Sequence, residues 1–530
     1  MWQQIYTPLG GSLPLSALAA AVPILTLLVL LGVMRKPAWL SSLAGLGAAA
    51  VIAAAVYGMP LPRLVSAAAY GAAFGLFPIG WVVFTAILLY RITVDTGHFE
   101  ILKDSIGSLT SDRRMQAMLI AFAFGAFIEG AAGFGTPVAV AAAMLTGLGF
   151  APFEAAAICL LANTSPVAFG SIGIPITTLA LTTGLPVEHL SAQIGRICAP
   201  VSLIVPAYLV VVLSGWKGLR GVLPSAAACG VAFAGTQFAV SNLVGPQLTD
   251  IFASLAAMLA LMVALRFTRS SDAQRTPLRH SRREVLMAWL PYALLVVCVL
   301  VWGLKASVLN RTNIPIPWPL LHNTIQRVPP VVAKASPYAA IYTFNWLSAS
   351  GTACLVAAIL AALVVGMKPG QFAAALGRTA RQLALAELTL AAVLGLAFLM
   401  NYSGATATLG LAFAATGSMF PFFSPLLGWL GVFLTGSDTS SNALFGSLQV
   451  VTAGRLSMSP VLMAGANSAG GVMGKMISLT SIAVAAAATS MKRSEESQLF
   501  RFTLRHSIAL ASAVGVIVVF YAYVVPFWAL

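Results

Sequence analysis

Residues 125–140 read Gly-Ala-Phe-Ile-Glu-Gly-Ala-Ala-Gly-Phe-Gly-Thr-Pro-Val-Ala-Val, and residues 162–170 read Ala-Asn-Thr-Ser-Pro-Val-Ala-Phe-Gly. A second pair of stretches repeats part of both, with Gly-Val-Phe-Leu-Thr-Gly at 431–436 and Ala-Asn-Ser at 466–468. The shared Gly and Phe positions match at an offset of 306 (431 − 125), and the shared Ala and Asn positions match at 304 (467 − 163). A duplicated pair of glycine-interrupted, polar segments in an apolar chain is typical of a transporter whose substrate site lies between two repeats.

The composition indicates a membrane protein. Of the 530 residues, 59% are hydrophobic and only 8% are charged, whereas soluble domains carry roughly 25% charged residues. The apolar runs are about 20 residues long, which matches the thickness of a bilayer core. They lack the apolar/polar alternation of a transmembrane barrel. The chain is therefore predicted to be an all-α polytopic membrane protein.

The charge and the cysteines agree with this class. The formal net charge is +15, but the basic residues lie in short loops, as the positive-inside rule requires, so no nucleic-acid partner is expected. The five cysteines lie singly in apolar runs without metal-ligand spacing and are predicted to be small core residues. We expect no bound metal and no cofactor.

The distribution of Lys and Arg predicts the orientation of the chain. It places the N-terminus and the C-terminus outside the cytoplasm. No basic residue precedes the first apolar run, so a cleavable signal peptide is not expected. The basic segment 269–283 is predicted to be cytoplasmic, and the Pro-rich segment 305–338 extracytoplasmic, despite its four basic residues.

The order of segments predicts two repeats. In the first, a lateral amphipathic stretch at 97–107 is followed by a re-entrant hairpin at 112–149 and a broken helix at 152–185. In the second, a lateral stretch at 404–417 is followed by a hairpin at 420–456 and a helix at 458–490 that breaks at 467–471. The first unit starts outside and the second at cytoplasmic Arg381, so the repeats are predicted to be inverted.

Five regions result from this reading. They are N-terminal scaffold helices (1–80), the first repeat core (81–215), connecting helices with a basic loop (216–285), scaffold helices with the Pro-rich loop (286–383) and the second repeat core (384–530). Together they are expected to contain about 12 to 14 membrane segments.

Broken backbone at membrane depth predicts a binding site. Unpaired N–H and C=O groups cost several kcal/mol each in lipid, so breaks persist where they face a cavity or a ligand. Half-helix N-termini with their free N–H groups suit a small anion. The alternative is that the small residues only allow close helix packing. The predicted substrate-binding residues are Gly133, Gly135, Thr136, Asn163, Thr164, Ser165, Ser437, Thr439, Ser440, Ser441, Asn442, Asn467, Ser468 and Lys475.

Three acidic residues inside the membrane are the candidates for proton coupling, because such groups are costly and usually functional. Glu129 and Asp438 lie at the two hairpin tips, where a buried carboxyl group can load and release a proton. Glu387 lies inside a helix, and a salt bridge with Arg381 accounts for it equally well.

Other charged residues receive different roles. Lys475, which aligns with Ser171 of the first repeat, either attracts the substrate carboxylate or tethers Asp438. Glu154, in the first turn of a helix, is expected to stabilise the helix dipole. Asp95 and Asp250 are expected to lie at the membrane interface.

The stretches at 125–140 and 162–170 strongly resemble the L-lactate permease family, and the resemblance extends over essentially the full length. It implies uptake of L-lactate, D-lactate and glycolate by proton symport across the bacterial inner membrane. The order of segments is also similar to the wider ion transporter superfamily, whose members are often homodimers that move a transport domain like an elevator. The sequences at Asn163-Thr164 and Asn467-Ser468 resemble carboxylate-binding Ser-Asn-Thr motifs of that superfamily, with Ala162 and Ala466 replacing the first Ser.

Three alternatives remain open. A sodium-coupled carboxylate carrier would share this architecture. A passive anion channel could share the broken helices, but it could not accumulate substrate against a gradient. An intramembrane enzyme would need a metal or nucleophile cluster, and the sequence has neither His-Glu-x-x-His nor a paired catalytic Asp pattern.

Overall fold

Long apolar helices dominate the structure. The computed structural model describes residues 1–133, 135–267 and 280–529. Within these residues, 12 helices are long and apolar enough to cross a membrane, and one further pair of helices is bent by 64° at a short break. The predicted all-α polytopic class is therefore confirmed. Most of the basic segment predicted to be cytoplasmic lies outside the described residues.

The first half of the chain runs from the N-terminal helices through the first repeat to two further helices. Proline at the first or second position starts several of these helices, where its missing N–H is harmless. π-helical turns at Val29–Val33, Gly75–Gly80 and Ala117–Phe124 follow α1, α3 and α6. The helices are α1 (Leu13–Leu28), α2 (Ala38–Ala55), α3 (Leu61–Phe74), α4 (Trp81–Asp95), α5 (His98–Gly107), α6 (Arg113–Gln116), α7 (Gly125–Ala131), α8 (Thr136–Gly147), α9 (Pro152–Ala162), α10 (Gly170–Thr183), α11 (Val187–Arg220), α12 (Leu223–Leu243) and α13 (Thr249–Phe267).

The second half repeats the order of the first. The lateral helix, hairpin, interrupted helix and long closing helix are α5, α6–α8, α9–α10 and α11 in the first repeat, and α18, α19–α20, α21–α22 and α23 in the second. Its helices are α14 (Arg282–Leu304), α15 (Ala306–Leu309), α16 (Ser350–Val364), α17 (Pro369–Ser403), α18 (Ala405–Phe413), α19 (Phe420–Thr435), α20 (Asp438–Arg455), α21 (Pro460–Lys475), α22 (Leu479–Ala488) and α23 (Arg493–Tyr523).

Five short strands join the N-terminus to the Pro-rich segment. β1 (Trp2–Gln3) pairs with β3 (Ile325–Arg327), which also pairs with β4 (Ser336–Pro337); β2 (Ile314–Pro317) pairs with β5 (Ile341–Phe344). Trp2 stands opposite Ile325 in this parallel pairing. The N-terminus and the Pro-rich segment therefore lie on the same side of the helices, as the predicted orientation requires.

The helices pack in two groups. In the first, which we call the scaffold, α17 packs on α2, α3 and α4, and α16 packs on α4 and α14. In the second, which we call the core, α19, α20 and α21 pack together, α11 packs on α12 and α21, and α13 packs on α7. The repeats interlock within the core, because α10 of the first contacts α20 of the second and α22 contacts α8 and α9.

The predicted break at 467–471 is wrong. α21 continues through these residues, and the interruption lies at 476–478, after Lys475. The small residues serve close packing instead: an ideal Cβ at Gly470 would lie 2.5 Å from the backbone carbonyl carbon of Pro425, and one at Gly428 would lie 2.6 Å from that of Asn467. Small residues at a membrane helix interface allow such approach, which is the alternative explanation given above for glycine-rich segments.

Candidate substrate and proton site

The first hairpin turns on two glycines. α7 ends at Ala131 and α8 begins at Thr136, and Gly133 and Gly135 between them have φ of 60° and 80°. This left-handed conformation is accessible to glycine at little cost. Glu129 lies in the last turns of α7, and only 4% of its surface is exposed.

The first broken helix contains strained backbone. α9 ends at Ala162, the chain turns through Asn163 to Pro166, and Ser171, Ile172 and Gly173 then have φ of 47°, 60° and 73°. Left-handed conformation costs a non-glycine residue about 1–2 kcal/mol. The Ser171 hydroxyl donates to the backbone carbonyl of Ala132, 3.1 Å away, and so ties the strained segment to the hairpin tip. Strain held in place in this way is typical of functional sites.

The second hairpin tip is held in an equivalent way. Gly436, with φ of 73°, ends α19, and the Ser437 hydroxyl accepts from the Ser440 N–H to cap α20. The Lys475 ammonium donates to the Gly436 carbonyl at 2.6 Å. Lys475 and Ser171, which align between the repeats (475 − 304 = 171), thus both bond to the carbonyl that ends the incoming arm of their hairpin. The predicted alternative that Lys475 tethers Asp438 directly is replaced by a tether to the neighbouring backbone.

A buried chain of polar side chains extends from Asp438 into the core. Ser468 and Asn442 donate to Asp438 Oδ2, at 2.6 and 3.2 Å. Asn467 donates to Asn442 Oδ1 at 2.9 Å, and Gln449 donates to Asn467 Oδ1 at 3.1 Å. Sequence reasoning found four of these residues but missed Gln449, which carries no local signal because it lies in the middle of α20.

Glu129, Asp438 and Lys475 come together in the core. The ammonium of Lys475 interacts electrostatically with both carboxyl groups, and all three side chains are more than nine-tenths buried. Glu129 Oε2 and Asp438 Oδ1 have no hydrogen-bond partner among the described residues. Asn163 lies beside Glu129.

Asp250, which is expected to lie at the membrane interface, is buried inside the core. Asp250 lies in the first turn of α13 and is only 1% exposed, and it interacts electrostatically with Glu129. The cause is the close packing of α13 on α7 at Gly130, where an ideal Cβ would be 2.9 Å from Asp250 Cβ. An acidic residue soon after Gly245-Pro246 in an apolar region was the available signal.

The remaining charged candidates lie elsewhere. Glu387 is in scaffold helix α17 and faces Gly80, and its Oε1 has no hydrogen-bond partner among the described residues. The ion pairs found within the described part of the chain do not include one between Glu387 and Arg381. Glu154 is in the first turn of α9 and pairs with Arg113 at 2.8 Å, and Asp95 pairs with Arg378 at 2.6 Å.

The other predicted polar residues divide between the two hairpin regions. Thr164 donates to Leu161 O, and Ser165 Oγ has no partner among the described residues. Ser441 donates to Gly428 O, whereas Thr439 and Ser440 lie in the first turn of α20. Thr136 begins α8.

Both hairpin tips approach α22. An ideal Cβ at Gly135 would lie 3.7 Å from Val484, and one at Gly436 would lie 3.6 Å from Ser478 Oγ. Ser478 caps the N-terminus of α22. The N-termini of α20 and α22 therefore lie close to Lys475 and the second tip, which gives this region free N–H groups and a positive potential.

Comparison with known proteins gives matches over nearly the whole chain. A family model described as L-lactate permease matches residues 16–525. A protein named L-lactate permease from Bacillus subtilis is 44% identical over 97% of this chain and 97% of its own length. A protein named glycolate permease GlcA from Escherichia coli is 42% identical over 99% of this chain and 98% of its own.

Solved structures are more distant. MtrF of Neisseria gonorrhoeae aligns with a TM-score of 0.47 at 13% identity, covering 87% of this chain and 83% of that one, a likeness too loose to carry an argument about mechanism. The sequence matches, by contrast, span both hairpins, both interrupted helices and the scaffold. They confirm the resemblance drawn from the duplicated stretches: the chain is a multi-pass membrane protein that belongs to the L-lactate permease family.

Proposed function

We propose that this chain takes up L-lactate and related 2-hydroxymonocarboxylates, including D-lactate and glycolate, together with protons across a bacterial inner membrane. The names of the relatives support the substrate class. The observation that carries the coupling is the buried arrangement of Lys475 with Glu129 and Asp438 beside the hairpin tips. In this proposal both chain termini face outward.

The substrate carboxylate binds at Lys475. An ammonium has three donors, and the Gly436 carbonyl takes one of them. The N-terminal turn of α20, with Ser437, Thr439 and Ser440, offers further donors on the same side. Asn163 and Ser165 at the first break are suited to the substrate hydroxyl, since both carry neutral polar groups and Ser165 Oγ has no partner among the described residues.

Charge explains the coupling. Glu129, Asp438 and Asp250 are buried with Lys475 as the nearby cation. An anionic substrate entering this region is repelled by charged carboxylates, and an unpaired buried charge costs several kcal/mol. A proton bound with each substrate removes that repulsion. The fully loaded and the empty sites then cross the membrane readily, whereas a half-loaded site does not.

The division into scaffold and core supports an elevator-like motion. A cavity of about 80 Å³ lies between the two groups, where Pro78, Ile79 and Val82 of the scaffold face Ile172 and Thr177 of the core. In this proposal the core slides past the scaffold along this contact. Homodimers formed through the scaffold would hold it still during this motion.

Uptake into proteoliposomes tests the proposal. We expect labelled L-lactate to accumulate under an inward proton gradient and unlabelled D-lactate and glycolate to compete. Accumulation driven by a sodium gradient and not by a proton gradient would favour the sodium-coupled alternative. Equilibration without accumulation under either gradient would favour a passive channel.

A further inference from the structure

Asp250 is a third buried carboxyl group of the core, in addition to Glu129 and Asp438. Its residue is 1% exposed, and neither carboxylate oxygen has a hydrogen-bond partner among the described residues. Asp438 differs, because Ser468 and Asn442 donate to it. Within the part of the chain that the structure describes, no group therefore donates a hydrogen bond to Asp250, and leaving a buried charge unpaired costs several kcal/mol.

The packing of α13 on α7 brings Asp250 to Glu129. Gly130, the residue after Glu129, touches the first turn of α13 so closely that an ideal Cβ there would be 2.9 Å from Asp250 Cβ and 3.2 Å from Ile251 N. The two carboxyl groups interact electrostatically. Glu129 Oε2 is likewise without a hydrogen-bond partner in the described part of the chain.

Neutral side chains at the first helix break also have unused hydrogen-bonding atoms. Gln237 of α12 donates to Ser165 O at 3.1 Å, but its own Oε1, like Ser165 Oγ, has no partner among the described residues. Both residues are at most 1% exposed. Buried polar atoms are rarely left unpaired, so the first helix break is built to receive a bound species.

The charged surroundings of the pair are few. α7 contributes Glu129, α11 contributes the thiol of Cys198, and Lys475 approaches from the Glu129 side. α12 contributes the neutral Gln237, and the π-helical segment Ala117–Phe124 is apolar. The ion pairs of the described residues include neither Glu129 nor Asp250.

We propose that Glu129 and Asp250 form a carboxyl pair that binds the coupled proton in common, apart from the substrate carboxylate at Lys475. One proton bound to either carboxyl group reduces their joint charge from −2 to −1. Two carboxyl groups that share a site bind one proton in common. This inference rests on the proposed function, and Asp250 acts in it as a proton-binding residue that does not touch the substrate.

The test compares two measurements on the full chain in proteoliposomes. The first is accumulation of labelled L-lactate under an inward proton gradient, and the second is counterflow of L-lactate at equal pH on both sides. We expect Asp250→Asn to lower the ratio of accumulation to counterflow by at least about tenfold. Asp95→Asn, which removes a carboxylate that is ion-paired with Arg378, is the matched control and keeps the ratio. Asp250→Glu restores most of it.

A shared proton also predicts non-additivity. We expect the double variant Glu129→Gln/Asp250→Asn to have a ratio within about twofold of Glu129→Gln alone, because both changes remove one site. A merely structural role for Asp250 would lower accumulation and counterflow equally and leave the pH profile of counterflow unchanged. In Asp250→Asn we expect that profile to move towards acid pH, since the neighbouring negative charge is gone.

The outcomes separate the two proposals. A wild-type chain that fails to accumulate lactate under a proton gradient refutes the proposed function. Two results overturn only the proposed Glu129–Asp250 pair, provided that the wild-type chain accumulates lactate. One is an unchanged ratio of accumulation to counterflow in Asp250→Asn. The other is a double variant in which the effects of the two single substitutions multiply. If Asp250→Asn does not fold, Gly130→Ala replaces it, because the added methyl displaces Asp250 without changing charge. An unchanged ratio of accumulation to counterflow in Gly130→Ala also overturns the proposed Glu129–Asp250 pair.

Discussion

Replacing Lys475 by methionine tests whether its charge or its tether matters. Lys475→Met keeps a long apolar stem but removes the ammonium that donates to Gly436 O at 2.6 Å and neighbours Glu129 and Asp438. Ser171→Ala is the matched control, since it removes the equivalent tether to Ala132 O without removing a charge.

The structure sets the size of both effects. A hydrogen bond from a charged donor contributes about 1.5–3 kcal/mol, and each 1.4 kcal/mol is about tenfold in affinity. We therefore expect Lys475→Met to raise the KM for L-lactate by about 10- to 150-fold. Ser171→Ala loses one neutral bond and is expected to lower the free energy of unfolding by about 1 kcal/mol while raising KM less than about threefold.

Counterflow kinetics in proteoliposomes measure KM, and thermal unfolding in detergent measures stability. The charge explanation fails if Lys475→Met keeps KM within about twofold of wild type. Equal increases in KM for both variants would show that the tether to the hairpin tip, and not the ammonium, controls binding. Lys475→Arg further distinguishes the charge explanation from the tether explanation, because it keeps the charge on a larger planar group.

Three further predictions concern packing and surface charge. Gly428→Ala places a methyl 2.6 Å from the carbonyl carbon of Asn467 and is expected to lower the free energy of unfolding by about 1–3 kcal/mol, measured by thermal unfolding in detergent. Gly47 has open space around it, so the control Gly47→Ala is expected to be neutral or slightly stabilising in the same assay. Gln449→Leu leaves the buried Asn467 Oδ1 without its donor and is expected to cost about 1–3 kcal/mol, so an unchanged unfolding temperature would count against the polar chain. Asp95→Asn breaks an ion pair near the surface and is expected to change stability by less than about 1 kcal/mol, measured at low and high salt.

The two halves of the chain show how far local sequence predicts a helix break. At Asn163, the proline at 166 disfavours continuation of the helix because it lacks an N–H and crowds the carbonyl of residue 162, and the break is where the sequence predicts it. At Asn467, glycines and small polar residues form a similar string without a proline, and the helix continues through it. The glycines there are used for contact with α19, which local sequence does not reveal.

The polar residues also show which features local sequence does not predict. Glu129, Asp438 and Lys475 stand out because charges are rare in apolar segments, and they do come together. Asp250 has the same local signal, but its burial against α7 depends on contact with Gly130, 120 positions earlier (250 − 130). Gln449 lies in the middle of α20, and only its contact with Asn467 gives it a role.

The amino-acid sequence predicts a duplicated helical membrane protein, the positions at which its hairpins turn and the family to which it belongs. Composition, glycine and proline act locally, so the chain shows their effects directly. The three-dimensional packing is needed to see that Lys475 holds the tip of the second hairpin, that Asp250 packs against α7 at Gly130 and that α21 continues past Asn467. These features depend on side chains from distant segments meeting inside the core, and the energy of such contacts is set by packing rather than by the neighbours of each residue in the chain.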